Sequence, residues 1–188
     1  LLDAKEQNPL TGLNGNKIIN TYIAGRLKSK KKCVIVYFDF DNFKPFNDYY
    51  GFRKGDRAIL LFADILKKRT NLKDSLVGHI GGDDFFLGWN SSSETDEEVY
   101  QEVKKIVNKF AHDVESFYDD KDRKRGFIQA ENREGIKSRY NLLTVSAAVM
   151  LVKDNFYNKE DTLVHELAKL KKSAKIISGN IAWATLLE

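Results

Sequence analysis

The chain has 188 residues, of which 42% are hydrophobic, 31% charged and 12% aromatic, the profile of one globular domain that buries its own core. Its 31 Lys and Arg against 27 Asp and Glu leave a formal charge of +4, which excludes a polycationic nucleic-acid track but allows local basic patches suited to phosphate. A single cysteine excludes an internal disulfide and a multi-cysteine metal site; at the head of an apolar run, Cys33 reads as a buried, inert thiol.

No apolar run reaches the length of a membrane span and no signal-peptide pattern opens the chain, so a cytoplasmic location without direct membrane contact is expected. A chain that opens on Leu1-Leu2 without Met is expected to be one domain, residues 1–188, taken from a longer multidomain protein.

In chain order, the turn formers of Asn8-Pro9-Leu10-Thr11-Gly12-Leu13 precede Asn16, a candidate cap for a helix carrying Ile18, Ile19, Tyr22, Ile23 and Leu27. Residues 33–40 (CVIVYFDF) are apolar at both alternating sets of positions, as in a strand covered on both faces. Asp39 ends that strand, where a carboxylate is costly unless something pairs with it. Asp41 points the same way if the strand continues, and Asp41 or Asn42 could instead cap the next helix.

Asp56 reads as the N-cap of a helix with Ala58, Leu61, Phe62, Ile65 and Leu66 on one stripe. Asn47 and Asp56 are thus either turn and cap residues or an amide and an acid that together read the donor and acceptor edge of a guanine. A short strand over 75–80 leads into Gly81-Gly82-Asp83-Asp84, and 85–89 returns as its antiparallel partner. The two glycines supply positive φ angles and leave room for a flat ligand. Two adjacent acids at the tip of such a turn repel each other and cost solvation if covered, which favours a bound cation over packing and leaves a solvated turn as the alternative.

Beyond it, 91–95 caps a long amphipathic helix with Val99, Val103, Ile106, Val107, Phe110, Val114 and Phe117 inward. Residues 119–125 read as a charged surface turn and 126–140 as a mobile hairpin or loop, together an insertion over 119–140. A buried strand is expected over 142–152, a helix over 161–175 and a last strand over 181–187. Lys171, Lys172 and Lys175 share part of the helix's outer surface, by default a solvated face. The three histidines, His79 among them, show no ligand spacing. The element order predicts an α+β fold, a ferredoxin-like or palm-type mixed sheet with helices packed on both faces.

Together these segments resemble the GGDEF family, the diguanylate cyclase domains that join two GTP molecules into cyclic di-GMP. The resemblance rests on Asn8-Pro9-Leu10-Thr11-Gly12-Leu13, on 38–51 with Gly55-Asp56, on Gly81-Gly82-Asp83-Asp84-Phe85, and more weakly on Thr144-Val145-Ser146 and Ala174-Lys175 with Asn180. It implies Asp39, Asp83 and the carbonyl of Phe40 as ligands of Mg²⁺ or Mn²⁺, and Asp84 as the acid that completes a two-metal site or assists deprotonation. It further implies Asn47 and Asp56 on guanine, Gly81 and Gly82 against the nucleotide, Lys44 and Lys175 on the phosphates, and a transient homodimer with one GTP per copy.

Three departures stand out. Asp84 replaces the usual Glu and is about 1.5 Å shorter. Leu72 and Ser75 occupy the positions of the family's inhibitory Arg-x-x-Asp, so no such product site is expected. Gly179 stands where a basic residue is usual, leaving Lys171 or Lys172 as substitutes. Two alternatives follow: a degenerate domain that binds GTP or a partner without turnover, and another nucleotide-polymerising palm.

Overall fold

Strand β1 (Cys33–Asp41) lies at the centre of a five-stranded sheet, and the other elements pack around it. The computed structural model describes residues 6–69, 71–131, 135–153 and 160–186. Helix α1 (Asn16–Ser29) precedes β1; α2 (Phe43–Tyr50) and α3 (Phe52–Lys67) follow it. Then come β2 (Leu76–Gly81), β3 (Asp84–Asn90), α4 (Asp96–Val114) and a 3-10 turn over Glu115–Phe117. A short helix α5 (Asp120–Arg125) leads into the hairpin β4 (Phe127–Glu131) and β5 (Lys137–Asn141). The chain closes with β6 (Thr144–Val152), α6 (Glu160–Ala174) and β7 (Ile181–Leu186).

The sheet order is β2-β3-β1-β6-β7, with β1 antiparallel to both β3 and β6, and β7 parallel to β6 through the α6 crossover. Without β7, this is the ferredoxin-like arrangement expected from the element order. Alternation along β1 sends Val34, Val36, Phe38 and Phe40 into one core with α3 and α4, and Cys33 and Ile35 into a second core with α1 and α6. The first core is built on aromatic contacts: Phe110 stacks on Phe40 with centroids 4.5 Å apart and meets Phe62 edge-on at 5.1 Å. In the second core, burial pushes the Cys33 thiol up to about 11, in keeping with an inert thiol. Among the described residues no helix is long and apolar enough to cross a membrane.

Several local expectations change. Asn16 lies inside the first turn of α1, behind Gly15, and makes no capping bond. Asp56 is not a cap: α3 starts at Phe52 after Gly51, whose φ of 87° reverses the chain directly between two helices. Asn47 therefore sits on a helix rather than in a turn. Asn42 is the N-cap position of α2, at φ 62°, but gives no side-chain cap. Residues 119–125 form a helix with a buried acid, Asp122, instead of a solvated turn. Thr95 and Glu98 do form a reciprocal capping box at the start of α4, a device contributing about 1 kcal/mol. Leu1, Leu2 and Leu187 lie outside the described residues, as do 132–134.

Because Phe110 is fully buried between Phe40 and Phe62, Phe110→Ala should destabilise the protein by about 3–5 kcal/mol, read as a lower urea midpoint at unchanged m-value.

Candidate functional site

The polar end of β1 meets the β2–β3 turn. Asp39 lies opposite Asp84 across the β1–β3 ladder and opposite Ser146 across the β1–β6 ladder. Gly81 pairs with Asp84, so Gly82 and Asp83 form the loop, and a register shift between His79 and Gly81 re-aims the strand end. Gly81 (φ 151°) and Gly82 (φ 56°) adopt angles that L side chains rarely hold, and a Cβ at either would meet open space. A turn bare on that side lets a ligand approach the backbone.

Three carboxylates, Asp39, Asp83 and Asp84, meet here under two lysines of the α6 end. Lys171 Nζ lies 2.5 Å from Asp84 Oδ1 and 3.5 Å from Asp39 Oδ2. Lys175 Nζ pairs with Asp39 and also lies 3.4 Å from the Phe40 carbonyl oxygen. Burial lowers the proton affinity of Lys171, but the hydrogen bond and charge of Asp84, and then Asp39, outweigh it and raise its pKa. Burial raises Asp83, helped by the negative charges of Asp39 and Asp84. The face expected to be solvated therefore closes the acidic cluster, and Lys171 takes part with Lys175. Lys172 shows no such pairing among the described residues.

Asp41 has different company. It accepts from Thr144 Oγ1 at 2.8 Å, Ser146 Oγ at 2.8 Å and Asn180 Nδ2 at 2.7 Å. Neutral donors thus hold it, so it is neither a helix cap nor part of the ion-pair cluster. These groups border a cleft of about 430 Å³ lined by Asp41, Asn42, Asn141, Thr144, Lys175 and Asn180. A larger cleft of about 530 Å³ lies along 6–8 and 15–17 with His79 and Ile80, and carries none of the three acids. The smaller one is the better candidate, because it shares Lys175 with the cluster.

His79 was not legible as a site residue. Its ring stacks on Phe85, 4.2 Å between centroids, and its Nε2 lies 2.9 Å from the Gly82 carbonyl oxygen. A carbonyl only accepts, so Nε2 carries the proton and Nδ1 accepts from the Thr11 hydroxyl at 3.1 Å. Burial lowers the His79 pKa in spite of the Gly82 carbonyl and Asp84, which keeps the ring neutral. The 8–13 loop and the turn are thereby clamped together. The readable signal was a lone polar residue in an apolar strand.

The other expected residues form a second cluster. Asn47 of α2 lies against Gly55 of α3 so closely that a Cβ on Gly55 would lie 1.9 Å from Asn47 Oδ1. That oxygen is buried and has no hydrogen-bond partner among the described residues. Asp56, next to Gly55, is exposed. An orphaned acceptor on α2 and an exposed carboxylate on the following helix suit a ligand edge rich in N–H groups. Lys44 joins neither cluster; it pairs with Asp48 at 2.7 Å on the exposed side of α2.

Among the described residues no three His, Cys, Asp or Glu side chains form a ready-made metal cage. Carboxylates with a backbone carbonyl at the end of a strand still suit Mg²⁺, which binds through one or two carboxylates and the phosphates of its substrate.

Comparison with known proteins gives one consistent picture. A family model described as the GGDEF domain of diguanylate cyclases matches residues 6–125. The chain is 32% identical over 82 residues to the probable diguanylate cyclase DgcJ of Escherichia coli, covering 42% of this chain and 16% of that protein. It is 31% identical over 82 residues to the diguanylate cyclase DgcS of Shewanella oneidensis, covering 42% of this chain and 27% of that one. The chain thus spans only 16% and 27% of the length of these two relatives. Among solved structures, the GGDEF domain of DgcB from Caulobacter crescentus in complex with c-di-GMP superposes with a TM-score of 0.67 at 16% identity, covering 97% of this chain and 98% of that one. The FimX GGDEF domain from Pseudomonas aeruginosa gives 0.64 at 12% identity, covering 95% and 99%. At such identities the likeness is one of fold.

The raised Asp83 has a consequence for stability. A carboxyl whose pKa rises on folding weakens the folded state as pH climbs through the ordinary carboxylate range, because the unfolded chain gives up its proton first. Asp83→Asn should therefore raise the melting temperature of metal-free protein at pH 7, and the gain should vanish as pH falls to about 4. Calorimetry in EDTA across that range checks it.

Proposed function

The chain belongs to the GGDEF family, matched over residues 6–125, and on that premise we propose that it is a diguanylate cyclase domain joining two GTP molecules into cyclic di-GMP with release of two pyrophosphates. The observation that carries this is the meeting of Asp39, Asp83 and Asp84 with Lys171 and Lys175 at the polar end of the sheet. Asn47 and Asp56 hold the guanine, the first through an orphaned acceptor pressed against Gly55 and the second through the exposed acid that follows Gly55 in the chain. The bare backbone of Gly81 and Gly82 lets the nucleotide lie against the turn.

The acids fit a divalent cation, Mg²⁺ or Mn²⁺, held by Asp39, Asp83 and the Phe40 carbonyl with Asp84 alongside. When bound, it polarises the α-phosphate and eases ionisation of the attacking 3′-hydroxyl. Lys171 and Lys175 exchange carboxylates for phosphate oxygens as GTP arrives, so charge is never left unpaired. With Gly179 opposite the phosphates, Lys171 takes the second basic position. Lys44, at the exposed side of α2, can reach the phosphates only by leaving Asp48. Asp84 takes up the proton of the 3′-hydroxyl. Each copy presents one nucleotide, so two copies meet face to face, joined in the whole protein to other domains.

A second function is favoured by one observation: Asp84, short by one carbon, is held by Lys171 rather than left free for a cation. The domain would then bind GTP and regulate an attached domain without turnover. A misplacement of about 1 Å can cost on the order of a hundredfold in rate.

Protein at high concentration with GTP and Mg²⁺ should yield cyclic di-GMP by chromatography, and Asp39→Ala should lower the rate on the order of a hundredfold or more. GTP binding without product, together with product formed by Asp84→Glu, would establish the second function instead.

A further inference from the structure

The insertion after α4 has a buried acid at its heart. Asp122 is only 2% exposed, and an unpaired carboxylate there would be prohibitive. It is satisfied from two sides: Arg125 Nη2 lies 2.8 Å from Oδ1, and the Tyr50 hydroxyl donates to Oδ2. The same hydroxyl oxygen accepts from the Asp119 backbone N–H at 3.2 Å. Burial and then Asp122 raise the pKa of Tyr50, keeping its hydroxyl protonated and donating.

Tyr50 is the last residue of α2, one turn beyond Asn47, whose carbonyl accepts from Gly51 N. Around it Phe46 and Tyr50 each meet Tyr118 edge to face and lie tilted to one another, with centroids 5.2–5.4 Å apart, and the Tyr118 hydroxyl accepts from Leu143 N at 2.8 Å. Lys54 of α3 lies 4.0 Å over the Tyr50 ring and 3.6 Å from Asp119. Strand β4 packs on α2 as well. Helix α2 has only 8 residues, too few to be stable alone, so its position comes from these contacts.

We infer that α5 and β4, with the Tyr118 and Asp119 that lead into them, are a specificity buttress: through the Asp122–Tyr50 bond they fix the end of α2 so that Asn47 stays pressed against Gly55 with its carboxamide aimed at the guanine edge. Tyr50 and Asp122 are positioning residues and touch no substrate. The inference rests on the guanine site proposed above. Its particular signature is discrimination between GTP and ITP, which differ by the 2-amino donor of guanine. An amide held in one place reads that group; an amide free to drift with α2 does not.

The test uses Tyr50→Phe, which deletes one oxygen and leaves the ring, with Lys121→Ala on the exposed side of α5 as control. Hydrogen exchange on nucleotide-free protein should be about tenfold faster across 43–51 in Tyr50→Phe, with α4 unchanged. In competition against a fluorescent GTP analogue, the preference for GTP over ITP should fall roughly fivefold, with GTP affinity lost more than ITP affinity. Asp122→Asn should reproduce both effects. Unchanged exchange across 43–51 overturns the buttress. Faster exchange with an unchanged GTP-to-ITP ratio overturns its part in specificity. Wild-type protein that takes GTP and ITP alike overturns the guanine site instead, and the exchange result still decides the buttress.

Discussion

Asp39 and Asp84 stand directly across from one another in the β1–β3 ladder, with Asp83 raised in pKa beside them. Like charges placed so destabilise a sheet, and no cation in β1 or β3 relieves them. The relief comes from Lys171 of α6 and from Lys175 just past its end, which reach over the strand ends. The C-terminal crossover is thus tied to the turn by charge as well as by the packing of Leu163, Leu167 and Leu170. The acidic end of the sheet thus carries its own counter-charge, supplied by lysines from outside the ladder.

The division of labour between Asp39 and Asp41 follows from what each faces. Both project from the same side of β1, two residues apart. Asp41 is surrounded by hydroxyls and an amide that fix it without neutralising it, and so joins β1, β6 and the Asn180 turn into one frame. Asp39 is held by ammonium groups on flexible stems, which can be exchanged. Identical side chains at adjacent inward positions are separated into scaffold and candidate ligand by their neighbours alone.

The fold was largely legible because its signals are local or periodic. The two-sided apolar run of β1, the Gly-Gly turn, the Thr95 cap and the stripe of α4 each state their own conformation, and their order names the sheet. Asp56 misled because a carboxylate ahead of an apolar stripe resembles a cap, whereas Gly51 had already started the helix one turn earlier. Asp122 was hidden for a different reason. In a run as charged as Asp-Lys-Asp-Arg-Lys-Arg, nothing local marks which acid turns inward, and the answer lies 72 residues away in Tyr50. Lys171 was visible only as a substitute and His79 only as a scattered histidine, since their partners Asp84 and Thr11 are 87 and 68 residues distant. The family resemblance located the acids; it could not say that lysines cover them.

The order in which the strands enter the sheet also sets a timetable. The central strand forms early in synthesis, yet its β6 neighbour and the α6 lysines are made more than a hundred residues later. Contacts so distant in sequence form late, and slowly. A nascent chain that has already made the β2–β3 hairpin therefore carries an uncompensated acidic edge, one that repels itself until the last helix is made and Lys171 and Lys175 arrive to cover it.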